Sequence, residues 1–335
     1  MIQRLSPGPS KGSKEQFREA ERGAMFPHVG EPRRISRAGF LRLAVGGLSA
    51  ASFPSASSAQ VSGKMQTRPI PSSGEALPVV GLGTWRTFDV GTSVQERAPL
   101  RQVLTILFEA GGSVIDSSPM YGASEGVVGD LLSSMKAHDR AFVATKVWTS
   151  GRQAGIDQMR KSMQLLKDER IELMQIHNLV DWKTHLVTLR GWKQEGRIRY
   201  LGITHYTESA HADLEAIMRA ETLDFVQLDY AMDDRSVEKR LLPLAAERGI
   251  AVLVNQPFGG GGLIRSLSRR PLPDWAGEIE ASSWAQILLK FCLGHPAVTC
   301  VIPGTSRPDH MRDNAGAGFG RLPDAAMRER MAAAL

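Results

Sequence analysis

From residue 64 onward the chain alternates short β-branched runs with stretches of helical periodicity, eight times over, and few folds accept that pattern. The strand-like runs lie at 79–83, 114–118, 142–146, 173–177, 200–204, 225–229, 251–255 and 299–303. Helical stretches follow them at 94–110, 124–136, 156–166, 183–195, 209–220, 237–248, 282–293 and 308–317. Ala110-Gly111-Gly112 and Arg248-Gly249 read as helix C-terminal stops. Eight such units predict an α/β fold, a single-domain (β/α)8 TIM barrel, with functional residues gathered where the strands end. A doubly wound open sheet alternates in the same way. No G-x-G-x-x-G follows the first run, which weakens the dinucleotide-binding version of that rival. Residues 64–78 read as a hairpin closing the bottom of the barrel, and 259–281 as an unusually long loop after the seventh strand.

Hydrophobic residues make up 42% of the 335, ample for one large core. The formal charge of +6 is concentrated at one end: residues 1–59 carry +5, leaving a body of only +1. A basic body would have argued for a nucleic-acid partner, and that argument fails here. Cys292 and Cys300 read as two buried thiols, and no Cys/His cluster has metal-ligand spacing, so no metal is expected.

Residues 1–59 read as a leader preceding a barrel that occupies 60–335. The first thirty are polar and aperiodic and are expected to be disordered. From Met25, an alternative start to Met1, the pattern is that of a signal peptide. Arg33, Arg34 and Arg37 form its basic region, an apolar stretch runs from Phe40 to Phe53, and small residues at Ser57 and Ala59 suit cleavage before Gln60. Ser36-Arg37-Ala38-Gly39-Phe40-Leu41-Arg42 resembles a twin-arginine export signal, with Ala38 where the second arginine would stand. An exported, periplasmic protein is the expectation, a cytoplasmic one the alternative. The apolar stretch is too short for a stable membrane span.

Four polar residues fall near the ends of the second, third and fourth strands: Asp116 and Tyr121 in VIDSSPMYGASE, Lys146 in FVATKVW and His177 in ELMQIHN. Alone, each reads as a surface charge, a turn or a packed core residue. Together they suit carbonyl reduction. A cation beside a phenol favours the phenolate, an aspartate holds that cation, and a histidine can hydrogen-bond a substrate oxygen.

At these residues the chain resembles the aldo-keto reductase family, over roughly residues 65–320. GLGTW (81–85), IDSSPMYGASE (115–125), ATKVW (144–148) and the strand ending at His177 occur in the family's order and spacing. The resemblance implies Tyr121 as proton donor, Lys146 as the cation lowering its pKa, Asp116 as partner of Lys146, and His177 as the group orienting the carbonyl. It implies that Trp85 and Trp148 line the substrate pocket and that Thr84 belongs to the cofactor site.

The cofactor half departs further from the family's pattern. In Gly202-Ile203-Thr204-His205-Tyr206, Thr204 keeps a hydroxyl and His205 replaces an amide that would bind the nicotinamide carboxamide, with Gln227 as a third partner. In Asn255-Gln256-Pro257-Phe258-Gly259, Asn255 replaces a ring that stacks on the nicotinamide. The segment 302–314 fits the nucleotide-binding stretch, through Gly304, Thr305, Ser306, Arg307, His310, Asp313 and Asn314. Arg307 favours NADP(H), with NAD(H) as the alternative. The implied activity is NADP(H)-dependent interconversion of a small-molecule carbonyl and an alcohol by a monomer. The alternative is a non-catalytic nucleotide-binding regulatory module on the same barrel. Only fifteen residues follow Gly320, which implies an open pocket.

Overall fold

The computed structural model describes residues 63–335, and the readings of residues 1–62 as leader and export signal lie outside them. A hairpin comes first: β1 (Thr67–Pro69) pairs antiparallel with β2 (Ala76–Pro78), Thr67 opposite Pro78, and the chain reverses with Gly74 at φ +76°. Eight parallel strands follow: β3 (Leu82–Gly83), β4 (Val114–Asp116), β5 (Phe142–Val147), β6 (Ile171–His177), β7 (Ile198–Thr204), β8 (Phe225–Asp229), β9 (Ala251–Asn255) and β10 (Cys300–Val301). They hydrogen-bond in chain order, and parallel bridges Val80–Val301 and Gly83–Gly304 join the last strand to the first. The sheet therefore closes into the expected (β/α)8 barrel.

Helices α1 (Val94–Glu109), α2 (Ser124–Met135), α3 (Arg152–Leu166), α4 (Trp182–Gln194), α5 (His211–Ala220), α6 (Leu241–Arg248), α7 (Gly262–Leu267), α8 (Trp284–Leu293), α9 (Pro308–Gly316) and α10 (Ala325–Ala332) complete the described chain. Local sequence sets several of their ends. The Ser93 hydroxyl accepts from the Glu96 N–H to start α1, Ser283 does the same for α8 through Gln286, and Pro308 opens α9 where its missing N–H costs nothing. Gly249 ends α6 in a left-handed conformation at φ +64°. No helix among the described residues is long and apolar enough to cross a membrane.

Alternation along each strand divides the core in two. Val143, Ile176, Ile203, Val226 and Val252 face the helices. Val114, Phe142, Ala144, Leu173, Phe225, Ala251 and Cys300 face the barrel axis, where Ile70 and Leu77 of the hairpin join them. The hairpin thus plugs the lower end, as the sequence suggested. Both cysteines are free and buried.

Two of these helices and a 3₁₀ turn were not legible as helix. The region read as a long loop folds into α7 and the turn Asp274–Ile279. The residues after Gly320 form α10, docked by the buried Arg328, whose Nε donates to the Phe291 carbonyl at 3.1 Å and whose Nη2 pairs with Glu238 at 2.5 Å.

Candidate active site

Strand register brings the four polar residues to one end of the barrel. Gly83 pairs with Asp116, Lys146 with Gln175, His177 with Thr204, and Thr204 with Gln227. Paired residues in a parallel sheet point the same way, so these side chains form a polar layer above the apolar axis.

Asp116 is the hub of that layer. Its Oδ2 meets Lys146 Nζ at 2.6 Å, and its Oδ1 accepts from Gln227 Nε2 at 2.8 Å and Gln175 Nε2 at 3.2 Å. Lys146 Nζ also donates to the Ser117 carbonyl at 2.7 Å. Burial alone would depress the lysine pKa, because an ammonium out of water is costly. Burial is the largest single influence, but Asp116 and Tyr121 together outweigh it and hold the pKa above its ordinary value, so Lys146 is a fixed cation. Thr84, fully buried, donates its hydroxyl to the Asp116 carbonyl at 2.9 Å and fixes the strand end.

Tyr121 follows in a tight turn whose N–H donates to the Ser118 carbonyl at 3.0 Å. The next residue, Gly122, sits at φ +60°, and a Cβ there would meet the Asp89 carboxylate at 2.2 Å, so only glycine fits. Lys146 Nζ lies 4.9 Å from the centre of the Tyr121 ring. The His177 ring stands edge-on to that ring, with centroids 5.8 Å apart and an interplanar angle of 86°.

The electrostatics correct one expectation. Lys146 does pull the Tyr121 phenol toward acidity, but burial disfavours the phenolate more strongly. The pKa lies above its ordinary value, not below it. Tyr121 is therefore a neutral phenol at neutral pH. His177 is neutral as well: burial first, then the Lys146 charge, push its pKa down to about 2. A neutral donor pair beside a fixed ammonium can hydrogen-bond a carbonyl oxygen and supply it with a proton.

The cofactor-type residues are arranged less simply. Thr204 donates to Gln227 Oε1 at 3.0 Å, so both are engaged within the layer. The His205 Nδ1 accepts from the Tyr206 N–H at 3.0 Å and its ring stacks on Tyr206. Polar capacity remains elsewhere. Gln175 Oε1, Asn178 Oδ1 and Asn255 Oδ1 are buried without a partner among the described residues. Such atoms are costly unless something else satisfies them, and a carboxamide N–H would do so.

Beyond Asn255, Gln256 lies at φ +50° and Gly259, Gly260 and Gly261 at φ +57°, +59° and +88°. Phe258 packs against the core, while a side chain at Gly259 would meet the Asp233 carboxylate. Before α9, Gly304 and Ser306 are exposed, and Thr305 Oγ1 accepts from the Arg307 N–H at 3.1 Å. Arg307 pairs with Asp309 at 2.5 Å, and His310 is exposed. Asn314 is buried at the inner face of α9, whereas Asp313 Oδ1 is spent on Ser283 and Gln286 at 2.8 Å each. An unpartnered amide layer at one end and an open helix start at the other suit a nicotinamide dinucleotide. Trp85 and Trp148, 50% and 38% exposed, flank the mouth, with Trp148 6.5 Å from His177. No His, Cys, Asp or Glu group among the described residues could hold a metal ion.

Sequence reasoning missed Gln175, Asn178 and Ser118. Gln175 was legible in principle, being two residues before His177 and hence on the same face of β6. Asn178 begins a strained turn in which it, Leu179 and Asp181 all take left-handed backbone, at φ +51°, +56° and +46°. Strain of this kind, on the order of 1–3 kcal/mol per residue, clusters at functional sites.

Comparison with known proteins agrees with this geometry. The model of the aldo/keto reductase family matches residues 79–333. The methylglyoxal reductase YeaE of Escherichia coli (strain K12) is 26% identical over 259 residues, covering 75% of this chain and 89% of that protein. An NADH-specific methylglyoxal reductase of the same organism is 26% identical over 324 residues, covering 78% and 96%. An aldo/keto reductase from Klebsiella pneumoniae, solved with NADP and acetate, superposes with a TM-score of 0.67 at 22% identity, covering 80% and 94%. With the barrel, the polar layer and the family match in agreement, this chain belongs to the aldo/keto reductase family and is an oxidoreductase.

Proposed function

We propose that the protein reduces a small aldehyde or ketone to the alcohol using NADPH, with Tyr121 as the proton donor. The observation that carries this reading is the enclosed Lys146–Asp116 pair beneath the Tyr121 ring, with neutral His177 at its edge. Bound NADPH supplies hydride to the carbonyl carbon. His177 donates an N–H to the carbonyl oxygen and orients it. Tyr121 gives its proton as that oxygen gains charge, and the phenolate left behind is stabilised by the Lys146 ammonium. Burial keeps the phenol protonated until that moment, which suits a donor better than a phenol already ionised. Trp85 and Trp148 form the walls against which the substrate lies.

The residues that hold the nicotinamide end are Gln175, Asn178, Thr204, Gln227 and Asn255. Thr305, Ser306, Arg307, His310 and Asn314 hold the phosphate and adenosine end. The known names of the relatives support a small carbonyl such as methylglyoxal as the first substrate to assay.

The test is NADPH oxidation with methylglyoxal and a panel of aldehydes and quinones. Tyr121→Phe should lower kcat by about 10²-fold or more and leave NADPH binding intact by fluorescence titration. A variant retaining most of its kcat would remove Tyr121 from its role, and binding without turnover in the wild type would leave a nucleotide-binding module. We also propose export, on the basis of residues 25–59. A fusion of that segment to a reporter active only outside the cytoplasm tests it, and a silent reporter rejects it.

A further inference from the structure

We propose that Ser118 is a positioning residue that holds the His177 imidazole in the tautomer carrying its proton on Nε2, facing the reacting carbonyl. The inference rests on the reductase reading for its catalytic consequence, but its structural part stands on hydrogen bonds and the burial of the ring.

Ser118 is fully buried, two residues past Asp116. Its Oγ lies 3.0 Å from His177 Nδ1 and accepts from the Met120 N–H at 3.3 Å, and it makes no other hydrogen bond among the described residues. A hydroxyl has one proton to give. With Nδ1 unprotonated, that proton goes to Nδ1, and both the hydroxyl and Nδ1 are satisfied. With Nδ1 protonated, the ring donates to Oγ instead, and the hydroxyl proton is left in an enclosed site with no acceptor. Unpaired buried donors are strongly disfavoured, so the first arrangement prevails.

His177 is held neutral by its surroundings, so the proton absent from Nδ1 must sit on Nε2. Nε2 has no hydrogen-bond partner among the described residues and, unlike the orphaned amide oxygens nearby, is not enclosed. The ring is braced edge-on to Tyr121 and lies beside Trp148. Ser118 thereby converts a ring that could present either a lone pair or an N–H into one that presents the N–H. A lone pair at that position would repel a carbonyl oxygen.

The experiment uses the full chain with ¹⁵N-labelled histidine rings, and His177→Phe assigns the His177 signals. In the wild type, two-bond nitrogen–proton correlations should show Nδ1 unprotonated and Nε2 protonated. In Ser118→Ala the two nitrogens should move toward the averaged values of mixed tautomers. The same variant should lose about tenfold in kcat, with NADPH affinity unchanged.

A wild-type spectrum with the proton on Nδ1 overturns the proposal without any variant. So does a Ser118→Ala chain whose ring signals are unchanged, whatever its kcat, since the loss would then be one of packing. If the ring signals behave as expected but no carbonyl is turned over, the reductase reading falls and the tautomer assignment stands.

Discussion

Lys146 Nζ and the Asp116 carboxylate meet at 2.6 Å, with the lysine side chain wholly enclosed and the aspartate nearly so. The pair is the lowest structural requirement of the site, because Gln175, Gln227, Thr84 and Ser117 are all arranged around it. An isolated charge at such depth is far costlier than the pair.

Asp116→Asn should therefore destabilise the fold by about 3–5 kcal/mol in denaturant unfolding. The double variant Asp116→Asn/Lys146→Met should lose less than the sum of the single losses, since the second change removes the uncompensated cation. Additive losses would mean that the two groups do not act as a pair.

In the proposed reaction, the pH dependence of reduction would follow from two neutral donors. His177, held down to about 2, changes charge nowhere in the working range, and Tyr121 ionises only above its ordinary value. The kcat for reduction should stay flat from about pH 6 to pH 9. A step near neutrality that vanishes in His177→Gln would contradict the assignment. For stability the direction is fixed too: the unfolded chain takes up the histidine proton first, so this residue's contribution is lost as pH falls through about 6.5 toward 2.

Glu172 gives a second pH test, away from the site. Burial pushes its carboxyl up to about 6, despite a hydrogen bond from the Val143 N–H at 3.0 Å. Between the unfolded value and that one the folded chain binds the extra proton, so stability falls as pH rises through this window and the cost persists above it. Discounted for partial exposure, Glu172→Gln should raise stability by about 1 kcal/mol at pH 7 and by nothing measurable near pH 4. Equal effects at both pH values would assign the change to packing.

In the proposed cofactor site, Asp309 would compete with phosphate for Arg307. It is bound in a fork by Asp309, at 3.1 Å through Nε and 2.5 Å through Nη2, and both side chains are exposed. Asp309→Asn should tighten NADPH binding several-fold, and Arg307→Ala should weaken it about tenfold, with little effect on NADH in either case. Equal changes in the two dissociation constants, measured by fluorescence quenching, would remove Arg307 from the 2′-phosphate site.

Period-2 and period-3.6 patterning made the barrel legible, because each strand needed one face toward the axis and one toward a helix. The four polar residues were legible because strand ends share one rim of such a barrel. What escaped depended on local competition for hydrogen bonds. The resemblance assigns His205 to a cofactor contact, and motif spacing could not show that its Nδ1 accepts from the Tyr206 and Thr207 N–H groups that follow it. Asp313 likewise is claimed by the start of α8. The net shift of Tyr121 depended on two opposing effects whose sizes are set by burial, which motif spacing does not encode. The helix α7 starts at the last of four consecutive glycines, a run that argues locally for a loop, and α10 is an alanine-rich segment with little amphipathic pattern that docks through Met327, Arg328 and Met331.

The hairpin stopper has a consequence for traffic. Ile70 and Leu77 close the lower end against Phe142, Leu173, Tyr200 and Phe225, so among the described residues the polar rim is the open end of the barrel. In the proposed reaction, reactant and product would share that end, each waiting for the other to clear. Crowding at that threshold, rather than the bond-making step, is where a turnover ceiling would arise.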